Sequence, residues 1–261
     1  MSAAKPRPPE TTAAIPRPTA PIAGVIFDFD GTLSELHIDF AEMRRQALAV
    51  IERHGVDVTN LPQTYTLELI ASAARLLEES GRPQQAQALH QEALQAIEQV
   101  EMEAAQRARL FPWVQETLLS LRRQSIPCAV VTRNCAAAVQ TILGRAAECL
   151  VAVLTREQVT NVKPHPAHLD AARRCLGCAP DQPVIMVGDH PSDMQAARAA
   201  GMLAVGVLSG SSTAQALAEA GAHFILADGG QLPALVRACN LRVAVATHPP
   251  AGRQSEARKA E

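Results

Sequence analysis

Two carboxylates one residue apart, Asp28 and Asp30, close the apolar run Val25-Ile26-Phe27 and are followed at once by Gly31 and Thr32. On an extended strand, side chains alternate, so residues i and i+2 share a face. Two carboxylates placed this way repel each other unless a cation or a shared proton lies between them. A turn accounts for Asp30-Gly31, but not for a second acid at the end of an apolar strand. Further polar clusters follow downstream: Thr132-Arg133-Asn134, Lys163-Pro164-His165-Pro166, and the run from Gly188 through Asp189, His190, Pro191 and Ser192 to Asp193. Each has a plain explanation when taken alone. Thr132 could be an ordinary β-branched strand residue, Asp189 and Asp193 turn or cap residues, and Lys163 a solvated charge. Together they supply several acids, a hydroxyl and a lysine.

The surrounding elements decide whether these groups meet. Val25 to Phe27 reads as a strand buried on both faces, as in a parallel sheet. A long helical stretch follows. Asp39 is placed to cap a helix over 40–53, with Met43, Ala47, Val50 and Ile51 on one face. A second helix covers 66–79 through Leu67, Ile70, Ala74 and Leu77. Pro83 opens a third, over about 84–109, with Leu89, Ala93, Ile97 and Val100 as its stripe. Strands and helices then alternate. Strands are predicted at 127–132, 150–154, 184–187, 203–207 and 223–226. Helices are predicted at 114–124, at 136–143 with Asn134 as cap, at 166–176, up to 200 with Ser192 or Asp193 as cap, at 213–220 and at 232–239. This alternation specifies βαβ units, hence a doubly wound α/β sheet with helices on both faces, interrupted once by an all-helical insert. Every polar cluster then falls at the carboxyl edge of the sheet, where such folds bind ligands.

Composition narrows the function classes. The chain of 261 residues carries a net charge of −2, which leaves no basic footprint for nucleic acid. No segment approaches the roughly 18 apolar residues needed to span a bilayer. The expectation is a cytoplasmic protein whose six cysteines are reduced thiols. Cys175-Leu-Gly-Cys178 has metal-ligand spacing but no second pair to match it, so it reads as a helix ending at Gly177. The expected division is a proline-rich disordered tail at 1–21, an α/β core at 22–35 and 112–245, a helical unit at 36–111, and a flexible tail at 246–261.

The four clusters, Asp28-Phe29-Asp30-Gly31-Thr32-Leu33, Thr132-Arg133-Asn134, Lys163-Pro164 and Gly188-Asp189 through Asp193, resemble in order the motifs of the haloacid dehalogenase superfamily of phosphotransfer hydrolases. The helical insert is similar to the mobile cap of its phosphoglycolate phosphatase-like branch. The resemblance implies a Rossmann-type core with an inserted cap and a magnesium-dependent reaction through an aspartyl-phosphate. Asp28 would be the nucleophile and Asp30 the general acid and then base. Thr132 and Lys163 would stabilise the phosphoryl group. Magnesium would be held by Asp28, Asp189 and the Asp30 backbone, with Asp193 behind them. Arg133 and Asn134, directly after Thr132, are candidates for binding substrate by position alone.

The implied activity is hydrolysis of a small phosphorylated metabolite, a phosphoglycolate-like monoester, with a sugar phosphomutase or a non-catalytic phosphate-binding regulator as alternatives. No lysine occurs between Ser34 and Arg109, which argues against Schiff-base chemistry in the cap. His37, Arg44, Arg45 and Arg53 are further candidates for contacting a polar substrate, as are His165 and His190 within the motif loops.

Overall fold

The computed structural model describes residue 18 and residues 20–61 and 65–247. The expected tails at 1–21 and 246–261 fall largely outside the described residues. Strands β1 (Gly24–Phe27), β2 (Cys128–Val131), β3 (Ala152–Leu154), β4 (Val184–Gly188), β5 (Leu203–Val207) and β6 (Phe224–Leu226) form one sheet in the order β3-β2-β1-β4-β5-β6. All of its pairings are parallel. β1 sits in the middle, with Phe27 opposite Val130 of β2 on one side and Val187 of β4 on the other. The chain winds outward from β1 in one direction and then restarts at β4 in the other. The carboxyl ends of β1 and β4 therefore flank the reversal point at which open α/β sheets form their crevice.

Both faces of the sheet are covered, because neighbouring strand residues point to opposite sides. Val25 and Phe27 pack with Leu118 and Leu121 of α4 (Val114–Arg123), with Val139 of α5 (Ala136–Leu143) and with Val236 of α9 (Leu232–Thr247). Ile26 and Met186 face the other way, onto Leu169 of α6 (Pro166–Cys175), Met194 of α7 (Pro191–Ala199) and Leu217 of α8 (Ala214–Glu219).

The insert comprises α1 (Phe40–Arg53), α2 (Thr66–Glu79) and α3 (Pro83–Arg107), and has an apolar cluster of its own. Asp39 caps α1 by accepting from the Glu42 amide, and Met43, Ala47, Val50 and Ile51 are its buried face. On α2 the buried residues are Leu69, Ile70, Ala73 and Leu77. Ile70 and Leu77 are as expected, whereas the expected Leu67 and Ala74 are only partly buried. The two connections to the core lie side by side. Ser34 bridges Leu110, the Glu35 amide donates to Arg109 and the Phe111 amide donates to Leu33.

Three local expectations are corrected. Cys135, not Asn134, holds the N-cap position of α5, because the Asn134 side chain is drawn elsewhere. His190, not Ser192 or Asp193, caps α7, in a reciprocal arrangement with Asp193. The last helix runs to Thr247 rather than ending near 239.

Candidate active site

The loop after β1 turns sharply at Gly31, whose φ of +80° suits glycine. The amides of Thr32, Leu33 and Ser34 all donate to the Phe29 carbonyl. This turn holds Asp28 and Thr32 within hydrogen-bond reach, the Thr32 hydroxyl lying 3.2 Å from Asp28 Oδ2 and 3.4 Å from Asp189 Oδ1. Lys163, only 2% exposed, extends Nζ to Asp28 Oδ1 at 2.5 Å and to Asp193 Oδ1 at 2.7 Å. Burial works against its charge, but Asp193 and Asp28 outweigh that and hold its pKa above the usual value. Asp193 in turn accepts from the His190 amide at 3.1 Å, and Asp189 accepts from the Ser211 amide at 3.1 Å.

Asp30 has different company. Both of its oxygens lie 3.1 Å from Asn134 Nδ2, and Thr132 Oγ1 is 3.4 Å from Oδ2. These donors are neutral. Burial, and secondarily the charge of Asp28, push the Asp30 carboxyl up to about 7. Burial, then Asp28 and Asp193, push Asp189 up to about 8. The sequence pair thus splits into one acid facing a lysine and one facing an amide and a hydroxyl.

Asp28, Asp189 and Asp193 each place a carboxylate oxygen within 4.8 Å of the others, and all three are buried. Several carboxylates around a single lysine leave negative charge in excess, and an all-oxygen donor set suits a hard divalent cation. The residues present fit such an ion. The backbone has also been cleared around them. A Cβ on Gly188 would meet Asp193 Oδ2 at 2.3 Å, and one on Gly210 would meet Asp189 Oδ2 at 1.8 Å.

The site opens into a cavity of about 410 Å³ between the sheet edge and the helical insert. All eight motif candidates, Asp28, Asp30, Thr132, Arg133, Asn134, Lys163, Asp189 and Asp193, line it. Arg133 does so while tied to the insert. Its two terminal nitrogens bond Glu68 of α2 at 2.8 and 2.6 Å, its guanidinium lies 4.9 Å over the Tyr65 ring, and it also reaches the Lys163 carbonyl. Tyr65 meets the His190 ring edge-on at 5.8 Å.

Of the other candidates, Arg44 and His190 line the cavity, whereas His37, Arg45, Arg53 and His165 do not. His37 pairs with Glu35, Arg45 with Glu42 and Arg53 with Glu92, while His165 caps α6.

Two groups were missed from sequence. Glu101 of α3 is 3% exposed, lines the cavity and pairs with Arg156 Nη1 at 2.5 Å. The loop Ser209-Gly210-Ser211 seats Asp189 and bonds the Gly31 carbonyl through Ser209 Oγ at 2.8 Å. An acid following the apolar stripe of α3, and a run of small polar residues at the carboxyl end of β5, were the available signals.

The family model for haloacid dehalogenase-like hydrolases matches residues 25–207. A phosphoglycolate phosphatase of Mannheimia succiniciproducens is 30% identical over 225 residues, 80% of this chain and 96% of that protein. The phosphoglycolate phosphatase of Escherichia coli K12 is 36% identical over 110 residues, 41% of this chain and 43% of its own. Among solved structures, a hydrolase from Pseudomonas syringae superposes with a TM-score of 0.56 at 24% identity, over 82% of this chain and 98% of that one, a likeness of fold. The family match takes in β1 through β5 together with the whole insert, and so every acid, the lysine and the threonine of the site; the chain belongs to the haloacid dehalogenase-like hydrolase family.

Proposed function

We propose that the protein is a magnesium-dependent phosphatase that hydrolyses a small phosphomonoester through an aspartyl-phosphate on Asp28. The observation that carries this reading is the unequal partnering of the two acids of the β1 loop. Asp28 lies 2.5 Å from the Lys163 ammonium, whereas Asp30 lies against neutral donors from Asn134 and Thr132. Neighbouring carboxylates in contrasting environments take different chemical roles.

Asp28 is the nucleophile. A carboxylate attacking a phosphate dianion meets charge repulsion, which Lys163 relieves. As the phosphorus–oxygen ester bond breaks, Asp30 gives its proton to the leaving oxygen. It then takes a proton from the water that attacks the aspartyl-phosphate, releasing phosphate and restoring Asp28. The Thr132 hydroxyl and the Lys163 ammonium serve the phosphoryl oxygens, since positioned donors supply most of the catalysis in phosphoryl transfer. Magnesium, when bound, neutralises phosphoryl charge. Asp28, Asp189 and the Asp30 carbonyl would hold it, with Asp193 steadying the ligands. Residues 36–111 act as a cap over this edge and keep bulk water from the reacting groups.

The test is phosphate release from a panel of phosphomonoesters, with magnesium and with a chelator, using Asp28→Asn as the blank. The panel starts with phosphoglycolate, the compound in the names of the relatives. Magnesium-dependent release that vanishes in the variant is expected. Release that persists in Asp28→Asn would remove Asp28 as nucleophile.

A further inference from the structure

Thr132 and Lys163, the two donors assigned to the phosphoryl oxygens, come from separate parts of the chain. Thr132 follows β2, and Lys163 sits in the loop before α6. One side chain joins their backbones. His168, in the first turn of α6, is fully buried and does not line the cavity. Its Nδ1 accepts from the Lys163 amide at 3.3 Å. Its Nε2 donates to the carbonyl of Leu154, the last residue of β3, at 3.0 Å. The Thr132 amide donates to that same carbonyl, also at 3.0 Å. A carbonyl oxygen has two lone pairs and so accepts from both. A path of three hydrogen bonds thus runs from Thr132 through Leu154 and the imidazole to Lys163.

The partners fix the place of the ring proton. An amide N–H needs a bare nitrogen at Nδ1, and a carbonyl needs an N–H at Nε2, which together define one neutral tautomer. Burial, and secondarily the Lys163 charge, keep the ring neutral by pulling its pKa down to about 4. An apolar ring would fill the same space, so packing leaves the use of both nitrogens unexplained. Lys163 has other holds: Asp28 and Asp193 take its Nζ, and Arg133 reaches its carbonyl. Asp28, however, must turn to phosphorus during the proposed reaction, whereas the anchor on the Lys163 amide stays in place through that step.

We propose that His168 is a positioning residue that fixes the separation of Thr132 and Lys163, and so the point at which both donors meet the transferring phosphoryl group. This rests on the phosphatase reading and adds to it a residue that touches neither the substrate nor the cation site.

The test compares two variants. His168→Phe keeps a ring and removes both bonds, whereas His168→Gln offers an amide oxygen and an amide N–H in place of the two nitrogens. Steady-state kinetics are measured in magnesium on the best phosphomonoester of the panel, together with inhibition by orthovanadate and by inorganic phosphate. His168→Phe should lower kcat by about 10- to 100-fold, because misplacing a reacting group by about 1 Å can cost on the order of 100-fold. KM should move less. Affinity for orthovanadate, which takes the five-coordinate shape of the transition state, should fall with kcat/KM, and affinity for phosphate should fall less. His168→Gln should regain most of the loss. A folded His168→Phe variant with native kcat and lowered thermal stability would show a merely structural role and overturn the inference. A His168→Gln variant as slow as His168→Phe would overturn it too. Should the phenylalanine variant not fold, His168→Met removes both bonds with a more adaptable side chain and carries the same prediction. In the native protein, ring nitrogen chemical shifts measured by NMR should show His168, assigned by its loss in His168→Gln, as the Nε2–H tautomer. The Nδ1–H tautomer overturns the inference without reference to activity. Native protein that hydrolyses no phosphomonoester in magnesium removes the phosphatase reading and the inference with it, whereas failure of the His168 role alone leaves native hydrolysis intact.

Discussion

Replacing Gly210 with alanine should disable the site without touching any group that does chemistry. The backbone of residue 210 runs so close to Asp189 that a Cβ there would lie 1.8 Å from Oδ2 and 2.3 Å from Cγ. Ordinary carbon contacts begin at roughly 3.5 Å, so the carboxylate or the loop must give way by about 1.7 Å. The flexible end of Asp189 is the softer partner, and moving it breaks the 3.1 Å bond from the Ser211 amide. Overpacking of this kind costs about 1–3 kcal/mol, which a core with two covered sheet faces should survive. Function should suffer more, because misplacing a reacting group by about 1 Å can cost on the order of 100-fold in rate. The assay is kcat/KM against magnesium concentration, beside thermal unfolding followed by circular dichroism. The expected result is a drop of about 100-fold or more, partly recovered at high magnesium, with a cooperative unfolding transition retained. A folded variant within threefold of the native rate would show that the position of Asp189 does not matter, and the proposed cation site would fall with it.

Other consequences are open to direct measurement. Asp30→Asn should lower kcat by roughly 10²–10⁴, the usual contribution of general acid–base help, and an unchanged kcat would take Asp30 out of the mechanism. Glu68→Gln keeps one hydrogen bond to Arg133 but loses the ion pair; since both side chains are partly solvated, the cost should be only about 1 kcal/mol in urea unfolding, and an unmoved midpoint would mean that the bridge from α2 to Arg133 contributes nothing. His168 is fully buried, and burial, with Lys163 second, pulls its pKa down to about 4. An unfolded histidine titrates near 6.5, so the unfolded chain binds the extra proton between these values. Stability is then complete above about pH 6.5 and falls by about 3 kcal/mol as the pH drops toward 4. His168→Gln should flatten that part of the urea-midpoint profile, and an identical slope in the variant would assign it to other groups.

Much of this molecule was legible in its sequence because the informative residues are clustered locally. Asp28 and Asp30, Thr132 to Asn134 and Asp189 to Asp193 each sit at or just beyond a strand end, which parallel topology brings together, while Lys163 comes from the loop before α6. The misreadings have physical causes. Asn134 looked like a helix cap because asparagine favours that position, but its amide is drawn to Asp30 and its carbonyl oxygen accepts from the Cys135 amide at 2.8 Å. On α2 the expected Ile70 and Leu77 are buried, but Leu69 and Ala73 take the places expected of Leu67 and Ala74, and Leu67 also faces the cavity. Glu101 and Arg156 carry no local signal of partnership, since only the docking of α3 against the loop after β3 joins them. Gly210 could not be read at all, because its role depends on the proximity of another loop.

The central position of β1 has a consequence for how the chain is made. β1 leaves the ribosome before its partners, residues 128–130 and 184–187. Until those emerge, its apolar residues have no sheet to join. The insert depends on no such delay. Its apolar cluster is drawn from residues 43–100, so the helical unit can assemble while both neighbours of β1 are still unmade. Synthesis by this route runs from the insert to the sheet, because long-range strand pairing waits on loop closure while local helical contacts do not. Asp28 is among the first site residues to be translated, but its surroundings are completed only when the Ser211 loop arrives to seat Asp189. A nascent chain stalled between the insert and that loop should carry a folded helical unit and no catalytic competence.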